Sequence, residues 1–339
     1  MPVKVSINGL GRIGSQVLRR GLMHPDLEFV AVNDITDADT LAYLLKYDSV
    51  HGIYPGQVEA RGDALVVDNR QIQVFSERDP AKILWRSVGV ELVIESTGRF
   101  ESKAEASRHL AAGARKVIVT APAEGVDRTL VYGVNEDTYD PARHDVVAMG
   151  SCTTYALAPT LKVLHERFGV QRGFINTTHA YTNTQALLDR PVDSKRRCRG
   201  AAINLVPTTT GAARAIGEVL PEMRGRMDGL AIRAPVPDGS ILDTTCVLDR
   251  EVTVEEVNQA FRDAAGQERL GRVMTTTSEQ LVSSDVVDTR HSAIVDLTLT
   301  MASGNLVKVF TWYDNEGAFA HQVVDLAAYI AQRMPVPTR

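Results

Sequence analysis

Cysteine is scarce in this 339-residue chain: Cys152, Cys198 and Cys246 are widely spaced and odd in number. That spacing excludes a disulfide framework and offers no Cys-x-x-Cys zinc site, so no metal is expected. Basic charge is not in excess either. Lys plus Arg total 37 against 42 Asp plus Glu, a net charge of -5, which argues against non-specific nucleic-acid binding. No apolar run approaches the roughly 18 residues that a membrane span needs. The opening "MPVKVSINGLGRIG" has no charged n-region, long h-region or cleavage site of a signal peptide. Internal repeats and low-complexity linkers are absent. What is left is an ordinary globular composition, 44% hydrophobic and 23% charged. The expectation is a cytoplasmic protein with no nucleic-acid or membrane partner.

At this length the chain holds two domains or one large one. Its first half alternates strands and helices. "VKVSING" reads as a strand and "GLGRIGSQVLRRGL" as a helix with apolar residues at Ile13, Val17, Leu18 and Leu22; "EFVAVND" and "DADTLAYLLKY" repeat the pair, with a cap near Asp37. "VELVIES" and "RKVIVTAP" are continuous apolar runs, as in strands buried on both faces of a parallel sheet. Between them "SKAEASRHLAAGA" reads as the crossover helix, and "ALVVDNRQIQVFSE" as an inserted hairpin turning at "DN". This βαβ rhythm predicts an α/β fold with a doubly wound, Rossmann-type parallel sheet over residues 1–151. After Cys152 the texture changes to a long helix, "TYALAPTLKVLHERFG", despite Pro159. Long alternating strands follow, and the prediction is an α+β domain with a mixed or antiparallel sheet over 152–315. A terminal helix returning to the first domain is expected over 316–339, the last four of which lie outside the residues described below.

"NGLGRIG" places Gly9, Gly11 and Gly14 in the G-x-G-x-x-G spacing after a strand and at a helix start. The first glycine permits a tight turn, the second lets backbone approach a pyrophosphate, and the third lets helix and strand pack closely. Asp34 lies 20 residues beyond Gly14 at the end of the second strand, where a carboxylate accepts hydrogen bonds from an adenosine ribose. The two features together point to a dinucleotide. A carboxylate there repels a 2′-phosphate and so favours NAD over NADP; capping of the "DITDADT" turn is the competing account of Asp34.

Cys152, in "MGSCTTYALAP", opens a helix, so its sulfur faces the positive N-terminal end. It is either a core thiol or a nucleophile. A nucleophile needs a base, and His179 in "NTTHAYTNTQ" ends an apolar strand at a polar segment. A satisfied structural histidine fits that position as well.

In order along the chain, "INGLGRIG", "AVND", "LLKYDSVHG", "SCTT", "HAYTNTQ", "INLVPTTTGAA" and "WYDNE" resemble phosphorylating glyceraldehyde-3-phosphate dehydrogenase from Val3 to about Ile330. The resemblance implies that Cys152 attacks an aldehyde, that His179 lowers the thiol pKa and takes the hydroxyl proton, and that a thioester is then cleaved by inorganic phosphate. It assigns Thr182 and Arg233 to the substrate phosphate, and Ser151, Thr153, Arg197, Thr210 and Gly211 to the attacking one. Arg233 sits among apolar strand residues, so an anionic partner is expected for it even without the likeness. Arg197 in "SKRRCR" reads equally as a solvated charge, and Thr210 and Gly211 as a helix cap. On the cofactor side the likeness assigns Arg12 and Ile13 to the pyrophosphate turn. Arg78, Ser96, Thr97 and Thr120 are assigned to the cleft, and Asn315 to the nicotinamide carboxamide. A surface ion pair is the alternative for Arg78. A homotetramer is also implied.

Four positions depart from the family pattern. Tyr155 replaces an asparagine near the nucleophile's turn, and Thr184 an aspartate. After "WYDNE" the chain reads Gly317, Ala318, Phe319 in place of Trp-Gly-Tyr, so an aromatic beside the cofactor is expected to be absent or displaced. Arg190 stands at a usual leucine position and leaves room for NADP. The alternatives these changes raise are a paralogue acting on erythrose 4-phosphate or using arsenate, and a catalytically weak, dinucleotide-binding regulatory protein.

Overall fold

The computed structural model describes residues 1–335 and divides into two compact units, taken in turn. The first comprises Met1–Leu130, Glu136–Gly150 and the chain from Ala320 onward; the second comprises Val131–Asn135 and Ser151–Phe319. Residues 131–135, which the sequence analysis counts with the first domain, cluster with the second unit.

The first unit is built on a nine-stranded sheet. Its strands are β1 (Val3–Asn8), β2 (Leu27–Asn33), β3 (Val58–Ala60), β4 (Ala64–Val67), β5 (Arg70–Phe75), β6 (Leu92–Glu95), β7 (Lys116–Val119), β8 (Arg128–Thr129) and β9 (Val146–Ala148). They run in the order β8-β9-β7-β6-β1-β2-β5-β4-β3. All pairs from β8 to β5 are parallel, and β6 and β7 are buried at every residue, as their apolar runs predict. β4 and β5 form the predicted hairpin. Its turn residues Asp68 and Asn69 have φ of 47° and 66°, the left-handed pair of a type I′ turn. The hairpin is not set apart from the main sheet, because β5 joins β2 in parallel.

Helix α1 (Arg12–Gly21) follows β1, and α2 (Ala38–Lys46) is capped by Asp37, whose carboxylate accepts from the Thr40 N–H at 2.9 Å. α3 (Trp85–Val88) precedes β6. The predicted crossover helix is instead two single turns, α4 (Lys103–Ala106) and α5 (Arg108–Ala111), meeting at Ser107. At that junction Ser107 C=O is shared between Leu110 N–H at 3.0 Å and Ala111 N–H at 3.3 Å, a mixture of 3₁₀ and α spacing.

In the second unit, α6 (Cys152–Phe168), α7 (Ala212–Val219) and α8 (Val254–Ala265) accompany a seven-stranded mixed sheet. Its strands are β10 (Val170–Ala180), β11 (Val206–Thr209), β12 (Met227–Ala234), β13 (Ser240–Leu248), β14 (Met274–Thr277), β15 (Ala293–Ser303) and β16 (Leu306–Tyr313). Their order is β11-β12-β10-β13-β16-β15-β14. Pro159 is accommodated inside α6. The helix carbonyl it cannot pair, Tyr155 C=O, is approached instead by the Ser292 hydroxyl at 3.4 Å. The last helix, α9, spans Gly317–Ala331. No described helix is long and apolar enough to cross a membrane.

Candidate active site

In the first unit, a cleft of about 370 Å³ opens at the C-terminal ends of β1, β2 and β6. Gly9, Gly11, Asp34, Arg78, Ser96 and Thr97 line it. Gly9 has φ 91°, and a Cβ there would lie 2.8 Å from Thr97 Cγ2. A Cβ on Gly14 would lie 2.0 Å from the Gly9 carbonyl oxygen. Gly11 differs: apart from its chain neighbours, no described atom lies within 4 Å of the position a Cβ would take. Nothing in the chain itself requires glycine there, whereas close approach of a ligand does.

α1 begins at Gly11 with no side-chain cap and no acidic residue in its first turn. The backbone N–H groups of Arg12, Ile13 and Gly14 therefore have no helical acceptor and suit an anion. The Arg12 side chain is already engaged, in a two-pronged pair with Asp48 at 2.6 and 3.2 Å. Asp34 accepts from Leu10 N–H at 2.9 Å and Thr36 N–H at 3.0 Å, one per oxygen, leaving a lone pair on each for a diol. Ser96 donates to the Gly9 carbonyl at 2.6 Å. Thr120 donates to Glu95 C=O at 3.1 Å and does not line the cleft. Arg78 is exposed and lines the cleft. The donor set fits a pyrophosphate and the carboxylate fits a ribose. Gly14→Ala is expected to strain this turn by about 1–3 kcal/mol and to weaken NAD binding; a calorimetric titration of the variant checks it.

Sequence reasoning missed what lies beneath the cleft. Glu95, 2% exposed, accepts from Thr97 N–H (2.8 Å), Thr97 Oγ1 (2.5 Å), Asn8 Nδ2 (2.5 Å) and His109 Nε2 (3.0 Å). Trp85 Nε1 donates to His109 Nδ1 at 3.0 Å. The only signal in the sequence was a glutamate ending an apolar strand.

In the second unit, Ser151 caps α6 through a reciprocal box with Thr154, each hydroxyl accepting from the other's N–H at 3.2 Å. Cys152 is thus the first residue of a 17-residue helix, half-buried and reduced. Its Sγ lies 3.4 Å from His179 Nε2. His179 is buried near the end of β10, in parallel register with Arg233 on β12. Arg233 Nη1 is 2.8 Å from His179 Nδ1 and 3.0 Å from Ala180 C=O, and His179 Nδ1 is itself 2.7 Å from Ala180 C=O. Nε2 faces the sulfur, and it is free to accept the thiol proton in the tautomer whose Nδ1–H donates to Ala180 C=O.

Burial pushes the Cys152 thiol up, while the Arg233 charge and hydrogen bonds from Thr153 pull it down. Burial, then the Arg233 and Arg197 charges, push His179 down. Moving one proton from Sγ to Nε2 turns two buried neutral groups into a contact ion pair, so the two titrate as one system.

The buried Tyr313 was also missed. Its hydroxyl lies 2.9 Å from Thr153 Oγ1 and 2.7 Å from Thr177 Oγ1, and its ring packs edge-on to His179. It ties the first turn of α6 to β10 and holds Thr153, whose N–H and hydroxyl both reach the Cys152 sulfur. Arg233 Nε is buried without a partner, and Arg233 meets no carboxylate among the described residues. Arg197 donates through Nε to Thr208 Oγ1 at 3.0 Å, and its charge reaches both His179 and Arg233. Two neighbouring guanidinium groups without a counter-ion make an anion site. The Thr182 and Thr184 hydroxyls bond to each other at 2.9 Å. Thr210 Oγ1 accepts from Ala212 N–H at 3.2 Å, and Gly211 is the open N-cap of α7. Asn315 is fixed by Ser240 Oγ at 2.7 Å and by its own N–H on Asp238 at 3.2 Å.

Two departures find partners. Tyr155 is fully buried, edge-on to Phe319 with ring centroids 5.5 Å apart, so the replaced residues pack together. Gly317 donates its N–H to Asp314 Oδ1 at 2.7 Å as α9 starts. Arg190 is exposed.

Residues 3–103 match the family model of the glyceraldehyde 3-phosphate dehydrogenase NAD binding domain, and 151–315 that of the C-terminal domain. The chain is 52% identical to glyceraldehyde-3-phosphate dehydrogenase of Geobacillus stearothermophilus and 51% identical to glyceraldehyde-3-phosphate dehydrogenase 1 of Bacillus subtilis. Each alignment covers 98% of this chain and 99% of the relative. Identity to the enzyme of that name from Streptomyces coelicolor is 47%, over 98% and 100%. With both domains matched and identity near one half along almost the whole length, the chain belongs to the glyceraldehyde 3-phosphate dehydrogenase family.

Proposed function

We propose that this protein oxidises glyceraldehyde 3-phosphate with NAD(P) and inorganic phosphate to 1,3-bisphosphoglycerate, through a hemithioacetal and then a thioester on Cys152. The observation that carries the reading is the sulfur 3.4 Å from an imidazole nitrogen, beside Arg233, whose buried Nε has no partner among the described residues, and within reach of the Arg197 charge. With its Nδ1–H on Ala180 C=O, His179 takes the thiol proton on Nε2 as Sγ bonds to the carbonyl carbon and passes it to the carbonyl oxygen, which becomes the hemithioacetal hydroxyl; Tyr313 keeps the ring and the first turn of α6 in place. Arg233 and Thr182 hold the substrate phosphate. His179 then removes the hemithioacetal hydroxyl proton. The chemistry that a bound nicotinamide dinucleotide supplies is acceptance of the hydride released in that step. Ser151, Thr153, Arg197, Thr210 and Gly211 hold the second phosphate, whose oxygen attacks the acyl carbon. The C–S bond breaks, the acyl phosphate leaves, and His179 restores the proton to sulfur. Burial of His179 and half-burial of Cys152 keep water from the thioester.

Gly9, Gly11, Arg12, Ile13 and Gly14 would bind the pyrophosphate and Asp34 the ribose, favouring NAD. Arg78, Ser96 and Thr97 would line the cofactor site, and Asn315 would hold the carboxamide. The first unit acts as the dinucleotide-binding domain and the second as the catalytic domain. Exposed Leu187, Leu188, Ile203 and Leu205 support burial of this segment against other copies, as a homotetramer requires.

Initial rates on glyceraldehyde 3-phosphate with and without phosphate test the reading. Turnover that depends on phosphate and is faster with NAD than with NADP is expected. Equal rates without any acyl acceptor contradict it.

A further inference from the structure

The hydrogen bonds beneath the cleft run in one direction. An indole nitrogen only donates, so His109 Nδ1, 3.0 Å from Trp85 Nε1, is an acceptor and the ring proton sits on Nε2, aimed at Glu95 Oε2. Asn8 gives its amide N–H to the same oxygen and accepts through Oδ1 from Asn33 Nδ2 at 2.7 Å. Both N–H and hydroxyl of Thr97 point to the other oxygen, Glu95 Oε1. Thr97 is the residue against which Gly9 is packed, and Asn8 is the residue before it. Trp85 and His109 are fully buried, and Trp85 belongs to the apolar cluster with Val93 and Val117.

We propose that Glu95 is the positioning residue of the dinucleotide turn: its buried carboxylate, oriented by the Trp85–His109 pair, fixes Asn8 and Thr97 and thereby the Gly9 backbone that the pyrophosphate approaches. This rests on the dinucleotide reading of the cleft. Trp85 and His109 are fully buried on two single-turn helices, and the carboxylate ties them to the buried Asn8–Leu10 turn. A buried carboxylate serving four donors has no equivalent among neutral side chains. Glu95→Gln turns one acceptor into a donor facing donors, whereas Gln at position 109 keeps one acceptor and one donor for Trp85 and Glu95.

The test is calorimetric binding of ADP-ribose to the full-length protein. The KM for NAD, the KM for the aldehyde and the rate of Cys152 labelling by iodoacetamide are measured in parallel. Glu95→Gln and His109→Leu are expected to weaken ADP-ribose binding and raise the KM for NAD on the order of tenfold. His109→Gln should stay close to wild type. The aldehyde KM and the labelling rate should not move in any of the three. Wild-type affinity in Glu95→Gln and His109→Leu would overturn the proposal. So would an aldehyde KM and labelling rate that change in step with dinucleotide affinity, since that marks general loss of structure. Should Glu95→Gln not fold, the contrast between the two His109 variants decides. A wild-type protein that does not bind ADP-ribose would instead refute the underlying dinucleotide reading.

Discussion

Cys152→Ser is expected to lower kcat/KM by about 10⁴-fold or more, while NAD affinity and the unfolding midpoint stay close to wild type. The asymmetry follows from where the residue sits. Serine is nearly isosteric and suits the first turn of α6, so the helix, its Ser151–Thr154 box and the Tyr313 tie should survive. What is lost is the thiolate. A serine hydroxyl is a far weaker acid than a thiol, and one neutral imidazole does not ionise it in a site that disfavours charge. A serine ester, if formed, would also resist phosphate attack more than a thioester. Steady-state rates and a fluorescence titration with NAD on one preparation check both halves. Retained turnover would remove Cys152 from the chemistry.

The second large effect is at His179. His179→Asn is expected to reduce kcat by about 10²- to 10⁴-fold and to abolish the phase of the pH–rate profile that reports the coupled thiol–imidazole pair. Asparagine can still bond to Ala180 or Arg233, so the end of β10 keeps its place. It cannot accept the thiol proton. Iodoacetamide labelling of Cys152 should then follow an ordinary buried thiol, slow at neutral pH and rising steeply in alkali, because burial raises the thiol and nothing nearby takes its proton. Unchanged labelling at neutral pH would show that Arg233 and the helix terminus, not His179, activate the sulfur.

Much of this was legible in the chain, and for local reasons. The Gly9–Gly14 spacing, Asp34 at a strand end, the Asp68–Asn69 turn and the Asp37 cap each depend on a few neighbouring residues. So does the run that becomes α6, although the carbonyl left over by Pro159 is met from 137 positions away by Ser292. The unreadable parts depend on residues far apart. Glu95 meets Asn8 across 87 positions and Tyr313 meets Thr153 across 160. No periodicity encodes such pairings; they arise when strand order sets β6 beside β1, and β13 and then β16 beside β10. The break at Ser107 was missed because "SKAEASRHLAAGA" is a good helical composition throughout. The Tyr155 and Gly317 departures looked disruptive when each was taken singly. With Tyr155 packed on Phe319, they are changes within one buried contact region of the second unit.

The central claim is a covalent acyl intermediate on one sulfur. Intact-protein mass spectrometry after acid quench of the enzyme with NAD and glyceraldehyde 3-phosphate, phosphate omitted, tests it most directly. One phosphoglyceroyl adduct per chain is expected, mapped by peptide digestion to Cys152 and discharged when phosphate is added before the quench. No adduct while NADH accumulates, or an adduct at Cys198 or Cys246, would contradict the account.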